Sequence, residues 1–169
     1  MATPFVIRFF CCAILSLGLL SLTPAPTAPA AALPVAPSAA PPATAASMSA
    51  DILRYVNQHR RAMGLSALRP DSFISSVALD HSRNMLSGKT PFGHEGFPQR
   101  IDIIKKRLGP LHVAAENVAS GPMSAREVVD GWLHSPGHRR NIEGDFRLTG
   151  IGLARRADGM IYFTQIFVR

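Results

Sequence analysis

No cysteine follows Cys12, and no acidic residue precedes Asp51. The first absence removes disulfide scaffolds, thiol nucleophiles and cysteine metal sites from whatever folds downstream. The second marks where the folding part begins, since Arg8 is the only basic residue upstream of Asp51. There is no glycine-rich phosphate loop, no internal repeat, no Gly-x-Ser-x-Gly elbow and no His-Glu-x-x-His helix. The familiar phosphate-binding, serine-hydrolase and zinc-protease arrangements are thereby excluded. No long Lys/Arg-rich run is interleaved with aromatics, which argues against a nucleic-acid partner. Residues 48–169 nevertheless carry seventeen basic against eleven acidic side chains, a net +6 with histidine neutral. An exported protein in an anionic envelope would be basic for that electrostatic reason, and so would an ordinary arginine-rich soluble surface.

What stands in front of the domain is an address. Met1 to Arg8 is short and positive, and Phe9 to Leu22 is uncharged and apolar. That length suits a signal-peptide core better than a membrane span. Small-x-small sites such as Ala28-Pro29-Ala30 and Ala30-Ala31-Ala32 predict cleavage by about residue 32. Export to the envelope or the medium is expected, with an uncleaved anchor as the alternative. Residues 23–47 hold seven prolines and eleven alanines, a composition that reads as an extended, disordered spacer. The remaining residues, 48–169, make one domain of a size that buries roughly two-thirds of its unfolded surface.

Within that domain, Ser49-Ala50-Asp51 precede a helical stripe of Ile52, Leu53, Val56, Arg60 and Met63, closed by Gly64. Leu68 to Asp71 reads as a turn. Phe73, Ile74, Val77, Ala78, His81 and Met85 then share a second helix face, ended by Gly88, with His81 as a core histidine bonded to backbone. Thr90 to Pro98 is a Gly- and Pro-rich loop that presents His94. Arg100 to Leu108 forms a short helix with Ile101, Ile104 and Leu108 inward. Val113 to Ala119 is apolar except for Glu116 and Asn117, a local anomaly. Ser124 and Glu127 make a capping box for a helix with Val128 or Val129 and Trp132 inward. Ser135-Pro136-Gly137-His138 breaks that helix into a turn. Leu148–Ala154 and Met160–Val168 alternate as strands about the Asp158-Gly159 turn. Helices first and a hairpin last predict an α+β sandwich, a sheet covered by helices.

Five segments now stand in order: Phe92-Gly93-His94-Glu95-Gly96, Ala115-Glu116-Asn117-Val118-Ala119, Trp132 through Ile142 with Ser135-Pro136-Gly137-His138, Gly150-Ile151-Gly152, and Tyr162-Phe163-Thr164-Gln165-Ile166-Phe167. Together they resemble the CAP superfamily, the cysteine-rich secretory, antigen 5 and pathogenesis-related 1 proteins or SCP domains, in its bacterial branch. The resemblance spans roughly residues 51–169. It implies a three-layer α-β-α sandwich with a central antiparallel sheet. It also implies a cleft built on two histidines and two glutamates that holds a divalent metal in several members. His94 matches the first histidine and Glu116 the first glutamate. Ser135 stands where eukaryotic members have the second glutamate and Tyr162 where they have the second histidine, while the bacterial pattern offers His138.

These residues set the functional expectations. The cleft comprises His94, Glu116, His138, Ser135 and Gln165. A divalent metal such as zinc is held by His94 and His138, with Glu116. The first function is an exported binding module for a small molecule, lipid, glycan or peptide. The alternative is a metal-dependent hydrolase with Glu116 as general base. Blander roles stand beside these: Glu116 paired with Arg139 or Arg140 as a cleft wall, Asn117 satisfying its own loop, Gln165 serving a neighbouring strand, and His59, His112 and His134 solvated. A monomer without a transmembrane segment after cleavage is expected.

Overall fold

Thr44 opens the described part of the chain, residues 44–169 of a computed structural model. The signal segment, its cleavage sites and the spacer up to residue 43 lie outside the described residues. Thr44 caps α1 (Ala45–Ala62), its hydroxyl accepting from the Ser47 amide at 3.2 Å. The helix therefore starts inside the segment expected to be spacer. Past Pro42 the chain runs Ala-Thr-Ala-Ala-Ser, good helix formers behind a capping threonine. Ser49 and Asp51, expected as caps, are a turn or more inside, and Asp51 pairs with Arg54 at 2.9 Å. Met48, Ile52, Val56 and Arg60 face inward, whereas Met63, expected there, lies beyond the helix end and is exposed.

Eight further elements follow in order: β1 (Arg69–Pro70), α2 (Ser72–Ser87), α3 (Phe97–Leu108), β2 (Ala114–Gly121), α4 (Ala125–His134), α5 (Pro136–Glu143), β3 (Leu148–Arg155) and β4 (Ile161–Val168). The sheet order is β1-β3-β4-β2, antiparallel apart from the two-residue β1, which runs parallel to β3. Helices α1, α4 and α5 cover one face around Trp132, Phe163, Phe167 and Ile52. Helices α2 and α3 cover the other around Ile74, Ile101, Ile104 and Ile166. This is the α-β-α sandwich expected from the sequence.

Two further boundaries and one inward residue differ from the sequence reading. Helix α3 begins at Phe97 rather than Arg100, because Pro98 falls in the first turn, where its missing N–H costs nothing. Leu108, expected inward, is the last helical residue and is exposed. The break at Ser135 is a one-residue joint rather than the start of a turn: Ser135 ends α4 and Pro136 opens α5 as its first residue. The capping box of Ser124 and Glu127 forms as expected. Gly150 and Gly152 carry α2 directly on β3, since a Cβ at either would overlap backbone atoms of Ile74–Ser75 or Ala78–Leu79. Among the described residues no helix is long and apolar enough to cross a membrane.

Candidate ligand cleft at the sheet edge

Strand β2 lies at the edge of the sheet, and alternation along it sends neighbouring side chains to opposite layers. Glu116, in register with Ile166, turns to the α2–α3 layer; Asn117, in register with Gln165, turns to α5. Glu116 is the carboxylate that breaks the apolar run, and its side chain is 1% exposed. A buried carboxylate needs charge-assisted partners. Arg100 supplies two, Nε donating to Oε2 at 2.8 Å and Nη2 to Oε1 at 2.7 Å. His94 Nδ1 donates to Oε1 at 2.9 Å. Arg100 is fixed in turn by donating from Nη1 to the Glu95 carbonyl at 2.7 Å. Burial pushes the Glu116 carboxyl up, but the bonds from His94 and Arg100 and the Arg100 charge outweigh it and hold the pKa below the usual carboxylate value.

Two further histidines are held neutral. His81, on the inner face of α2, donates from Nε2 to the Gly93 carbonyl at 2.9 Å, the backbone bond expected of a core histidine. It also stands 3.9 Å from Glu116 Oε1, so it belongs to the same cluster. Burial lowers the His81 pKa, and burial followed by the neighbouring His94 lowers that of His138. With Nδ1 donating to Glu116, a neutral His94 keeps Nε2 as an acceptor. Its side chain is 52% exposed, so the buried network ends in an accessible imidazole.

Four of the five expected cleft residues come together. His94, Glu116, Ser135 and His138 line one opening of about 380 Å³, with Arg140 and Asn141. Gln165 does not. It is wholly buried on the opposite face of the sheet from Glu116 and donates to Thr149 Oγ1 at 3.1 Å. The same two-residue alternation that aims Glu116 into the cleft aims Gln165 away from it. A second, larger hollow of about 520 Å³ lies between α2 and α3, floored by Phe73, Val77 and Ile103. His81 and Arg100 form its inner wall, so the Arg100–Glu116 pair stands between the two hollows.

Several supporting roles fall differently from expectation. The partner of Glu116 is Arg100, not Arg139 or Arg140; Arg139 bonds Glu143 at 2.8 Å. Asn117 serves α5 rather than its own loop, donating to the His138 carbonyl at 3.1 Å and accepting from Asn141 at 2.9 Å. His59 meets Glu143 at 2.8 Å, and His134 donates to the Asp130 carbonyl at 2.7 Å, so neither is merely solvated. The sequence alone singles out neither Arg100 nor Asn141. Arg100 had a signal, because it shares the inward helical face of Ile101 and Ile104, and a lone buried carboxylate demands a cation.

The donor set fits a divalent metal only in part. Both oxygens of Glu116 are taken, and the guanidinium beside them repels a cation. Among the described residues no group of three or more His, Cys, Asp or Glu side chains is arranged to hold a metal ion. What fits is two imidazoles, His94 and His138, with Glu116 behind His94 as the carboxylate that orients a ligating ring.

Other proteins share this architecture. The profile of the Cysteine-rich secretory protein family (CAP) matches residues 53–167. The chain is similar to the uncharacterized protein YkwD of Bacillus subtilis (strain 168), with 30% identity over 143 residues, 83% of this chain and 54% of that one. Among solved structures, it is similar to an extracellular protein containing an SCP domain from Bacillus anthracis strain Ames. The identity is 26% and the TM-score 0.61, covering 77% of this chain and 45% of the other. An outer surface protein from Borrelia burgdorferi shares the fold, with a TM-score of 0.60 at 24% identity over 70% of this chain and 89% of its own. The chain spans about half the length of the two Bacillus proteins.

Proposed function

The chain belongs to the cysteine-rich secretory protein family, and from that footing we propose an exported binding module whose cleft at His94 and His138 takes a small ligand. The observation that carries the reading is the engagement of Glu116. Its carboxylate is consumed by Arg100 and His94 and held weakly basic, so it braces the cleft instead of abstracting protons. This tells against the hydrolase alternative, which needs Glu116 as a free base. What remains open to a ligand is the outer nitrogen of His94, the neutral ring of His138, the hydroxyl of Ser135 and the side-chain oxygen of Asn141. A small molecule, a lipid headgroup, a glycan or a peptide could be held there by hydrogen bonds. Export is supported by Arg8, the apolar Phe9–Leu22 run and the small residues after it, and by the extracellular and outer-surface descriptions of two similar structures.

A divalent ion such as zinc would be held by His94 and His138, where it would present a positive centre to an oxygen of the ligand. Thermal melting with added zinc at pH 7.5 tests this. At about a hundred times the dissociation constant the native state gains roughly 2.7 kcal/mol. The gain should fade towards pH 5, because metal binding at histidine competes with protons. His94→Ala or His138→Ala should each abolish it, and His112→Ala should leave it intact. Glu116→Ala should lower stability with or without zinc, because its first role is bracing. Absence of any shift in the unaltered protein at millimolar zinc would end the metal reading and leave an organic-ligand cleft.

A further inference from the structure

One end of the sandwich collects an excess of positive charge. The sheet register places Arg69, Leu148, Val168 and Ala114 in one row across the four strands. Arg147 and Arg169 lie one residue beyond that row, at the start of β3 and the end of β4. Helices α1 and α3 terminate at the same end, because each leads by a short loop into the first residue of β1 or β2. They bring Arg61 and the triplet Lys105-Lys106-Arg107. All seven of these basic side chains are exposed. The carboxylates described at this end are occupied. Asp145 pairs with Arg169 at 2.7 Å, Glu143 with Arg139 at 2.8 Å, Asp102 reaches Lys105 at 4.0 Å, and Asp71 caps α2 by accepting from the Ile74 amide at 2.9 Å.

Exposed apolar side chains accompany the charge. Among the described residues five large hydrophobics are exposed, and three of them sit here: Met63 at 51%, Leu108 at 37% and Val113 at 37%. They lie in or beside the two loops that Arg61, Arg69 and the Lys105–Arg107 triplet flank. The opposite end differs. There Arg126, Arg155 and Arg156 are set against Asp158, bound to Arg156 at 2.6 Å, and Glu127, tied into the α4 capping box, so the excess is smaller.

We propose that this end of the domain is a membrane-surface site that docks on a bilayer bearing anionic headgroups. Each Lys or Arg near an anionic surface contributes on the order of 1 kcal/mol, and exposed aliphatic side chains among them insert into the headgroup boundary. A purely polyanionic partner would use the charge but give Met63, Leu108 and Val113 nothing to bury against. The bilayer uses both. The site is separate from the small-ligand cleft and does not depend on how that cleft is read.

The experiment is co-sedimentation of the exported, mature protein with vesicles of phosphatidylglycerol and phosphatidylcholine, against vesicles of phosphatidylcholine alone. Binding should require phosphatidylglycerol and weaken steeply with salt. Lys105→Gln/Lys106→Gln/Arg107→Gln should lower vesicle affinity about a hundredfold. Leu108→Ser/Val113→Ser should lower it about tenfold. Arg126→Gln/Arg155→Gln/Arg156→Gln, the same charge change at the other end, should leave it within about twofold, and melting curves check that all variants fold. Equal binding to phosphatidylcholine alone, or indifference to the triplet substitution, overturns the proposal. So does a serine pair without effect in a protein that binds soluble polyphosphate as tightly as vesicles, which would make the surface a polyanion site.

Discussion

Arg60 and Arg100 are both buried, and they are buried for opposite ends. Arg60, on α1, is 2% exposed and has no carboxylate in contact among the described residues. Its guanidinium donates to the carbonyls of Ser66 at 2.8 Å, Ile142 at 2.7 Å and Gly144 at 2.8 Å, tying α1 to its own following loop and to the segment before β3. Every one of those bonds ends in backbone, and the network stops there. Arg100, on α3, is nearly as deeply placed, but its bonds run on through Glu116 to His94 and so to solvent. The same side chain at similar depth is a knot in one region and a link in the other. What separates them is whether the acceptors are fixed carbonyls or a titratable carboxylate.

The largest expected effect comes from cutting the link. Arg100→Leu leaves Glu116 buried without its cation, which costs about 3–5 kcal/mol of stability at neutral pH. Adding Glu116→Leu should restore most of that loss, because two apolar side chains replace a buried pair at little net cost. Urea unfolding of the two variants measures the difference, and a double variant no better than the single would show that the pair is not the unit.

Arg60→Leu should cost somewhat less, about 3 kcal/mol, by leaving carbonyls unpaired. No second substitution should rescue it. Unlike the Arg100 loss, which shrinks in acid where Glu116 protonates, the Arg60 loss should be the same at neutral and at acidic pH. Ligand or zinc binding at the cleft should be unaltered.

The smallest effect is in the unaltered protein. His81 and His138 have folded pKa values below the ordinary 6.5, so the fold favours their neutral forms. That contribution is fully present above about pH 6.5 and is lost as pH falls below it. Glu116, also lowered in the fold from its ordinary 4.5, adds a further loss at lower pH still. Denaturation midpoints at about pH 7.5, 6 and 4.5 should therefore decline in that order, with the first step reduced in His138→Ala. Stability that rises on acidification would contradict the burial of both rings.

Much of this was legible in the sequence where side-chain period is strong. The face of Ile74, Val77, Ala78 and His81 and the strands about Asp158-Gly159 stand as expected. Ser-Pro-Gly-His reads as a turn because proline breaks a helix in its middle, yet it opens one at its first position, and local sequence alone does not say which. Strand β1 is two residues long, too short to carry alternation. Gln165 shows the limit for the cleft. The Tyr162–Phe167 motif singles it out, but strand geometry sends it to the far layer. Arg100 was hidden because charge on an amphipathic helix ordinarily marks the solvent face.

Strand β2 has β4 on one side only, and its outer rim is a row of backbone groups that another chain could pair with. Asn141 closes that rim at the cleft, donating to the Glu116 carbonyl at 3.2 Å, while Asn117 holds α5 in place by its His138 carbonyl. The back wall of the cleft is thus also a guard against strand addition between molecules. A protein that loses Asn141 would keep its core and its imidazoles while exposing a free edge. It would be lost first to self-association, with the individual molecules still folded.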